Sequence, residues 1–263
     1  MGSIERLILQ SSARGMDVLC TCLSDTFCTD TAKAVLAWNR GRVLVTTGFY
    51  VAGHAETDGP PGTLFVCRAL EHNGFEPIVI ADEICRGYFE EFGIKVRYVP
   101  NNAGDREFEA ILTEFAPVGL IAIERCGKNI KGDYANMRGM SISQYTAPID
   151  RLFELAKCPT VGIGDGGNEI GMGNLADVIT TRLSLVPCRI RVDHLIVATV
   201  SNWGALGLSA AMGYLPEDDE YRSAYDICVK LGYVDGVTKE VTASDDGFPY
   251  ETGHRLLEQM RKI

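Results

Sequence analysis

Residues 162–174, G-I-G-D-G-G-N-E-I-G-M-G-N, hold the densest concentration of potential chemistry in the sequence. Six glycines in thirteen residues mark a backbone that needs positive φ or very close approach to something. Asp165, Asn168 and Glu169 are embedded in it. Carboxylates on so constrained a backbone can bind a hard divalent cation through oxygen, or act as general base and acid. The plainer alternative is a tight turn whose Asp and Asn bond nearby backbone, but a turn alone does not need six glycines. The stretch also contains G-x-G-x-x-G at Gly162, Gly164 and Gly167. Asp165 and Glu169 would oppose a pyrophosphate, and the motif misses its usual place after the first strand of a βαβ unit. No nucleotide cofactor is expected.

Three other clusters carry polar residues in dense runs. E-R-C-G-K at residues 124–128 and G-D-Y-A-N-M-R-G at residues 132–139 bring Glu124, Arg125, Lys128, Lys131 and Arg138 into one segment with Tyr134 and Asn136. Arginine offers a rigid fork that matches a carboxylate, so the segment suits a dicarboxylate clamp. A solvated charged loop is the alternative, but the charges begin where an apolar strand stops. In E-T-D-G-P-P-G, residues 56–62, Glu56 and Asp58 are candidate metal ligands or bases. Taken alone, that segment favours Asp58 as the cap of a helix that Pro60 or Pro61 begins. In V-S-N-W-G-A, residues 200–205, Ser201 or Asn202 caps a helix; without G-x-S-x-G there is no nucleophile elbow. Asp245-Asp246-Gly247 with Pro249 reads as a turn, and His254 beyond it is within reach of a cleft.

The elements that must position these clusters alternate between β-branched runs and helical patterns, the signature of a parallel sheet with crossover helices. Strands are expected at residues 42–47, 77–81, 96–99, 118–123, 160–163 and 195–200. Helices are expected around 30–38 and at 63–72, 82–92, 105–115, 149–156, 203–212, 218–231 and 250–263. Residues 126–145 form a long polar stretch without periodicity, a kind of loop that is often functional. The fold class is α/β, a mostly parallel open sheet with helices on both faces, a Rossmann-like three-layer sandwich. One domain over residues 1–263 is expected, with no internal repeat or linker. In such sheets ligands bind beyond the C-terminal strand ends. All four clusters follow expected strands, so they converge on one edge.

Composition bounds the partners. With 263 residues, 46% hydrophobic and 23% charged, the chain is ordinarily globular. A net charge of −10 disfavours nucleic acid and anionic membranes, while leaving a small anionic substrate open to local Arg and Lys. Nine cysteines are scattered without a C-x-x-C, which argues against a zinc site and a disulfide framework and for a reducing compartment. The expected location is the cytoplasm, or an organellar matrix after processing; a homo-oligomer is compatible with the sequence.

In this order the clusters resemble those of the D-glutamate cyclase family. The matching stretches are T-T-G-F at 46–49, E-T-D-G-P-P-G at 56–62, A-I-E-R at 122–125, then Tyr134, Asn136 and Arg138. P-I-D-R-L-F at 148–153, G-D-G-G-N-E-I-G-M-G at 164–173, V-S-N-W-G at 200–204, and Asp246-Gly247 with His254 complete the series. Lys128 stands where the family pattern has Arg, and Ser141 where it has an acid or amide. Longer members carry a further N-terminal domain, so the resemblance implies a stand-alone cyclase domain. It implies a lyase interconverting D-glutamate and 5-oxo-D-proline plus water. Asp165 or Glu169 is then base or metal ligand, and Glu124 and Asp58 supply an acid or further coordination. Arg125 and Arg138 hold the carboxylates, with Tyr134, Asn136, Asn168, Lys128 and Asn202 also contacting substrate. Carboxylates without a Cys/His set point to Mg²⁺ or Mn²⁺ at Asp165, Glu169 and Glu56. The rival readings are a metal-dependent hydrolase of another lactam or amide, and a non-catalytic module that binds an acidic amino acid.

Overall fold

The computed structural model describes residues 1–12 and 14–263. Six strands form one sheet: β1 (Arg42–Gly48), β2 (Glu76–Asp82), β3 (Val96–Val99), β4 (Gly119–Arg125), β5 (Thr160–Gly164) and β6 (His194–Val197). Their order is β3-β2-β1-β4-β5-β6, and every neighbouring pair is parallel. The runs V-L-V of β1, I-V-I-A of β2 and L-I-A-I of β4 are buried throughout, as strands covered on both faces must be. Edge strand β3 is only partly covered. The α/β class, the parallel sheet and the flanking helices agree with expectation.

Helix α1 (Pro60–His72) and helix α2 (Ser201–Ala211) pack closely together, and Phe27–Leu36 joins α2; Asp105–Phe115 and Arg151–Leu155 form a separate pair. Gly62 allows the α1–α2 approach, since a Cβ there would stand 2.7 Å from that of Ala205. Two expectations need correction. The helix expected over residues 82–92 is broken at Gly87, whose φ is +96°, into a 3₁₀ turn Glu83–Cys85 and a short helix Tyr88–Glu91. The last strand stops at Val197, and α2 starts at Ser201, two residues ahead of the expected helix.

The strand order reverses between β1 and β4, the switch point at which such sheets open a crevice. The loops leaving β1, β4 and β5 surround that crevice. All nine cysteines are free. No described helix is long and apolar enough to cross a membrane.

Candidate active site

A cavity of about 610 Å³ lies over the C-terminal strand ends. The β1 loop contributes Phe49 to Ala52 and Glu56, the β4 end and its loop contribute Glu124, Asn136 to Arg138 and Met140 to Ile142, and the β5 loop contributes Asp165, Asn168 and Glu169. Tyr50 stacks on Tyr145 with ring centroids 4.0 Å apart, joining the first two loops at the mouth.

The floor is acidic and deep. Glu56, Glu124, Asp165 and Glu169 are all buried, with Asp246 beside them. Glu124, next to last in β4, has φ +42°, a strained backbone for a residue with a side chain. The Ser201 hydroxyl donates to Glu124 Oε2 at 2.6 Å. Gly167 N–H donates to Glu169 Oε2 at 2.7 Å. The glycines of residues 162–174 let this loop fold back on its own strand: a Cβ on Gly162 would stand 2.4 Å from the Ile170 carbonyl oxygen.

One cation reaches this floor from outside the converging loops. Arg14 forks between Asp165, at 2.9 Å, and Asp246, at 2.5 Å. Residues 8 and 10, ahead of it in the chain, are tied to the turn after β6, where Thr199 donates through its N–H to Ile8 O and through its hydroxyl to Gln10 O. Burial opposes the charge of Arg14, but Asp165 and Asp246 hold it protonated. Burial pushes the Asp165 carboxyl up to about 8 against the pull of Arg14, with Asp58 and Glu169 adding to the rise. Burial, then neighbouring Asp165, pushes Glu124 well above the usual carboxylate range. Glu56 is raised by burial, then by Asp246, and Glu169 is raised by burial. Crowding of this kind leaves protons or a bound cation as the means of charge balance.

The rim has the opposite sign. Arg138 and Lys239 are exposed and line the same cavity. The Lys239 segment is shaped by Asp235, which accepts from the Val237, Thr238 and Gly247 N–H groups and the Ser244 hydroxyl. Gly236 in it makes room for the floor, since a Cβ would stand 1.7 Å from Glu56 Oε1.

Of the residues singled out from sequence, Asp165, Glu169, Glu124, Glu56, Asn136, Asn168 and Arg138 line the cavity. Arg125, Asp58, Asn202, Tyr134, Lys128 and His254 do not, and each has other partners. Arg125 is wholly buried in an ion pair with Asp82 and donates to the Gly48 and Ala147 carbonyls, so it is not free to clamp a substrate. Asp58 does cap a helix, but α2 rather than the one that follows it: its two oxygens accept from Ser201 N–H at 2.9 Å and Asn202 N–H at 2.7 Å. Asn202 returns the service, its Oδ1 accepting from Gly59 and Gly62 N–H at the start of α1. Tyr134 donates its hydroxyl to buried Asp150, and Lys128 lies over the Tyr134 ring at 5.4 Å. His254 turns away from the cleft, pairing with Asp218 at 3.2 Å.

Arg14 and the segment at 236–239 escaped sequence reasoning. Neither follows a strand, and a lone Arg before Gly15 carries no pattern. Asp246 had a visible signal, its place in the motif series, but a D-D-G turn explained it equally well.

Among the described residues, two carboxylate triads bring oxygens within 4.8 Å of one another, Glu124–Asp165–Glu169 and Asp58–Asp165–Asp246. Arg14 already bridges two members of the second. Both Asp58 oxygens are also taken, by Ser201 and Asn202 N–H, so the first triad suits a hard cation better, with buried Asp165 Oδ2 lacking a hydrogen-bond partner among the described residues.

Residues 4–261 match the family described as D-glutamate cyclase-like, C-terminal. Over 209 residues the chain is 32% identical to the Homo sapiens protein named "D-glutamate cyclase, mitochondrial". The match covers 68% of this chain and 34% of that relative, so the chain spans about a third of its length.

Proposed function

The chain belongs to the D-glutamate cyclase-like, C-terminal family, and from that premise we propose that its cavity closes D-glutamate to 5-oxo-D-proline and water, or reopens the lactam. The observation that carries this reading is the opposition of charge within one cavity: a buried floor of carboxylates under a rim bearing Arg138 and Lys239. An amino acid whose ammonium group meets the floor and whose α-carboxylate meets the rim is the complementary ligand.

Lactam closure requires the α-amine, freed of its protons, to attack the γ-carbon. The lactam C–N bond forms, a C–O bond breaks, and the two protons leaving nitrogen end on the departing oxygen as water. A relay of carboxylates serves that transfer without net proton uptake. Asp165 or Glu169 accepts from the ammonium, and Glu124, held by Ser201, delivers to the leaving oxygen. Of the two arginines expected on the carboxylates, Arg138 lines the cavity and holds the α-carboxylate at the rim. Enclosure of the folded-back chain supplies part of the acceleration, because the reacting ends are already joined. Mg²⁺ or Mn²⁺ held by Glu124, Asp165 and Glu169 would neutralise the γ-carboxylate and polarise its carbonyl. Glu56, the remaining floor acid, is the alternative third ligand.

Incubation with D-glutamate and, separately, with 5-oxo-D-proline, followed by chiral chromatography, tests the reading. Interconversion of the D-forms and much slower turnover of the L-forms are expected. Equal rates on both enantiomers, or turnover of neither, overturn it. Full activity after exhaustive chelation, confirmed by metal analysis, removes the cation.

A further inference from the structure

A cavity of about 610 Å³ falls in the range that encloses drug-sized ligands, and a single small amino acid fills only part of it. The surplus is apolar. Phe49, Tyr50, Val51, Met140, Ile142 and Val237 line it, and Met140 and Val237 are 54% and 50% exposed at its mouth. Met140 and Val237, exposed above an apolar wall and an acidic floor, are not explained by a ligand that is charged at every end.

The floor adds a second argument. Glu56, Glu124, Asp165, Glu169 and Asp246 face a space in which the half-buried guanidinium of Arg14 is already shared between Asp165 and Asp246. An anionic γ-carboxylate brought there meets like charge, whereas a neutral γ-amide does not. The rim bases Arg138 and Lys239 still match the one remaining carboxylate, that on the α-carbon.

We propose that the cavity also turns over γ-D-glutamyl amides of apolar amines, closing the same lactam and releasing the amine in place of water. The proposal rests on the lactam-closing reading above and names a wider substrate class for that site. In the step, the α-nitrogen attacks the γ-carbonyl carbon, the lactam C–N bond forms and the C–N bond to the leaving amine breaks. The two protons given up by the α-ammonium pass through the floor carboxylates to the leaving nitrogen, which departs as an ammonium ion. No oxidant or co-reactant is needed. The leaving amine's substituent lies along the wall formed by Phe49, Tyr50, Val51, Met140, Ile142 and Val237.

The test measures kcat/KM of the purified protein on D-glutamate, D-glutamine and γ-D-glutamyl benzylamide, reading 5-oxo-D-proline and free amine by chromatography. Benzylamide is expected to exceed D-glutamine by about tenfold or more, the worth of burying an aromatic ring. Met140→Asp and Val237→Asp, both at exposed positions, are expected to narrow that ratio. Turnover of D-glutamate without turnover of the benzylamide, or a benzylamide no better than D-glutamine, overturns the inference and leaves the cyclase reading standing. Failure of all three substrates overturns both. A ratio unchanged in both Asp variants also overturns the assignment of the wall.

Discussion

Two arginine–carboxylate assemblies stand at the C-terminal edge of the sheet, and they behave oppositely. Arg125 and Asp82 sit at the ends of β4 and β2, and their partners are almost all protein: Arg125 also donates to Gly48 and Ala147 carbonyls, and Asp82 Oδ1 accepts from Ala147 N–H. Arg14 instead spans Asp165 and Asp246 across two loops, on the wall of a cavity, and leaves Asp165 Oδ2 without a partner. The first locks three strands and the residue 147 backbone together inside the protein, with Arg125 Nε its unpaired atom; the second keeps a carboxylate oxygen in reserve on the wall of a cavity. The first belongs to the fold and the second to chemistry.

The largest separation between them is expected at Asp165. Asp165→Asn keeps the shape and removes the charge, and turnover should fall by roughly two to four orders of magnitude. Thermal unfolding should show a folded protein, with a signed difference in pH response. Asp165 has a folded-state pKa raised from its ordinary value to about 8, mainly by burial. Its contribution to stability is therefore fully present below its unfolded pKa and lost as pH rises through about 8. Across that window the metal-free wild type should lose stability, and Asp165→Asn should lose less. Near-normal turnover in a folded Asp165→Asn protein would remove this residue from the mechanism and move the search to Glu124 and Glu169.

Arg125→Met should act on stability instead. It leaves the Asp82 carboxylate buried beside Ala147 without its counter-charge, a change that costs about 3–5 kcal/mol. Urea unfolding measures it. A stable Arg125→Met protein with a raised KM would return Arg125 to the substrate and erase the contrast drawn between the two assemblies.

The contrast also explains what was readable in the sequence. β-branched runs set the inner strands, because strands buried on both faces must be apolar throughout, and the clusters at their ends set the location of the site. Placement of individual charges was less legible. A strand end says that Arg125 lies near the crevice, but not that β2 supplies Asp82 to absorb it, since that depends on which strand is the neighbour. Asp58 shows the same limit: a cap was foreseen, yet its helix lies 143 residues further along the chain. Arg14 was invisible because the stretch ahead of it is tied to distant Thr199, a contact without a local pattern.

Arg14→Gln tests whether the open fork is needed for turnover. Losing charge-assisted bonds to two carboxylates should lower kcat roughly tenfold to a hundredfold, with a smaller change in stability than in Arg125→Met. Free guanidinium added to Arg14→Gln should restore part of the rate, because the vacated space faces the cavity. Unaltered turnover in the folded variant would class Arg14 with Arg125, as a fastener.

The smallest effect is expected at the rim. Arg138 is exposed, its backbone N–H donates to Asn136 Oδ1 at 3.0 Å, and its side chain lines the cavity mouth. A guanidinium in water is well screened, so its attraction for a substrate carboxylate is weak even at short range. Arg138→Gln should therefore raise KM for D-glutamate about twofold to fivefold and leave kcat nearly unchanged, the pattern of a group that binds ground and transition states alike. Added salt should raise the wild-type KM and narrow the difference from Arg138→Gln, since only the wild type has that charge to screen. If kcat falls instead, Arg138 acts on the reacting atoms, and the division between a chemical floor and a binding rim fails at this residue. If neither constant moves, Lys239 is the remaining base on the rim for the α-carboxylate, and Lys239→Gln should then show the KM effect.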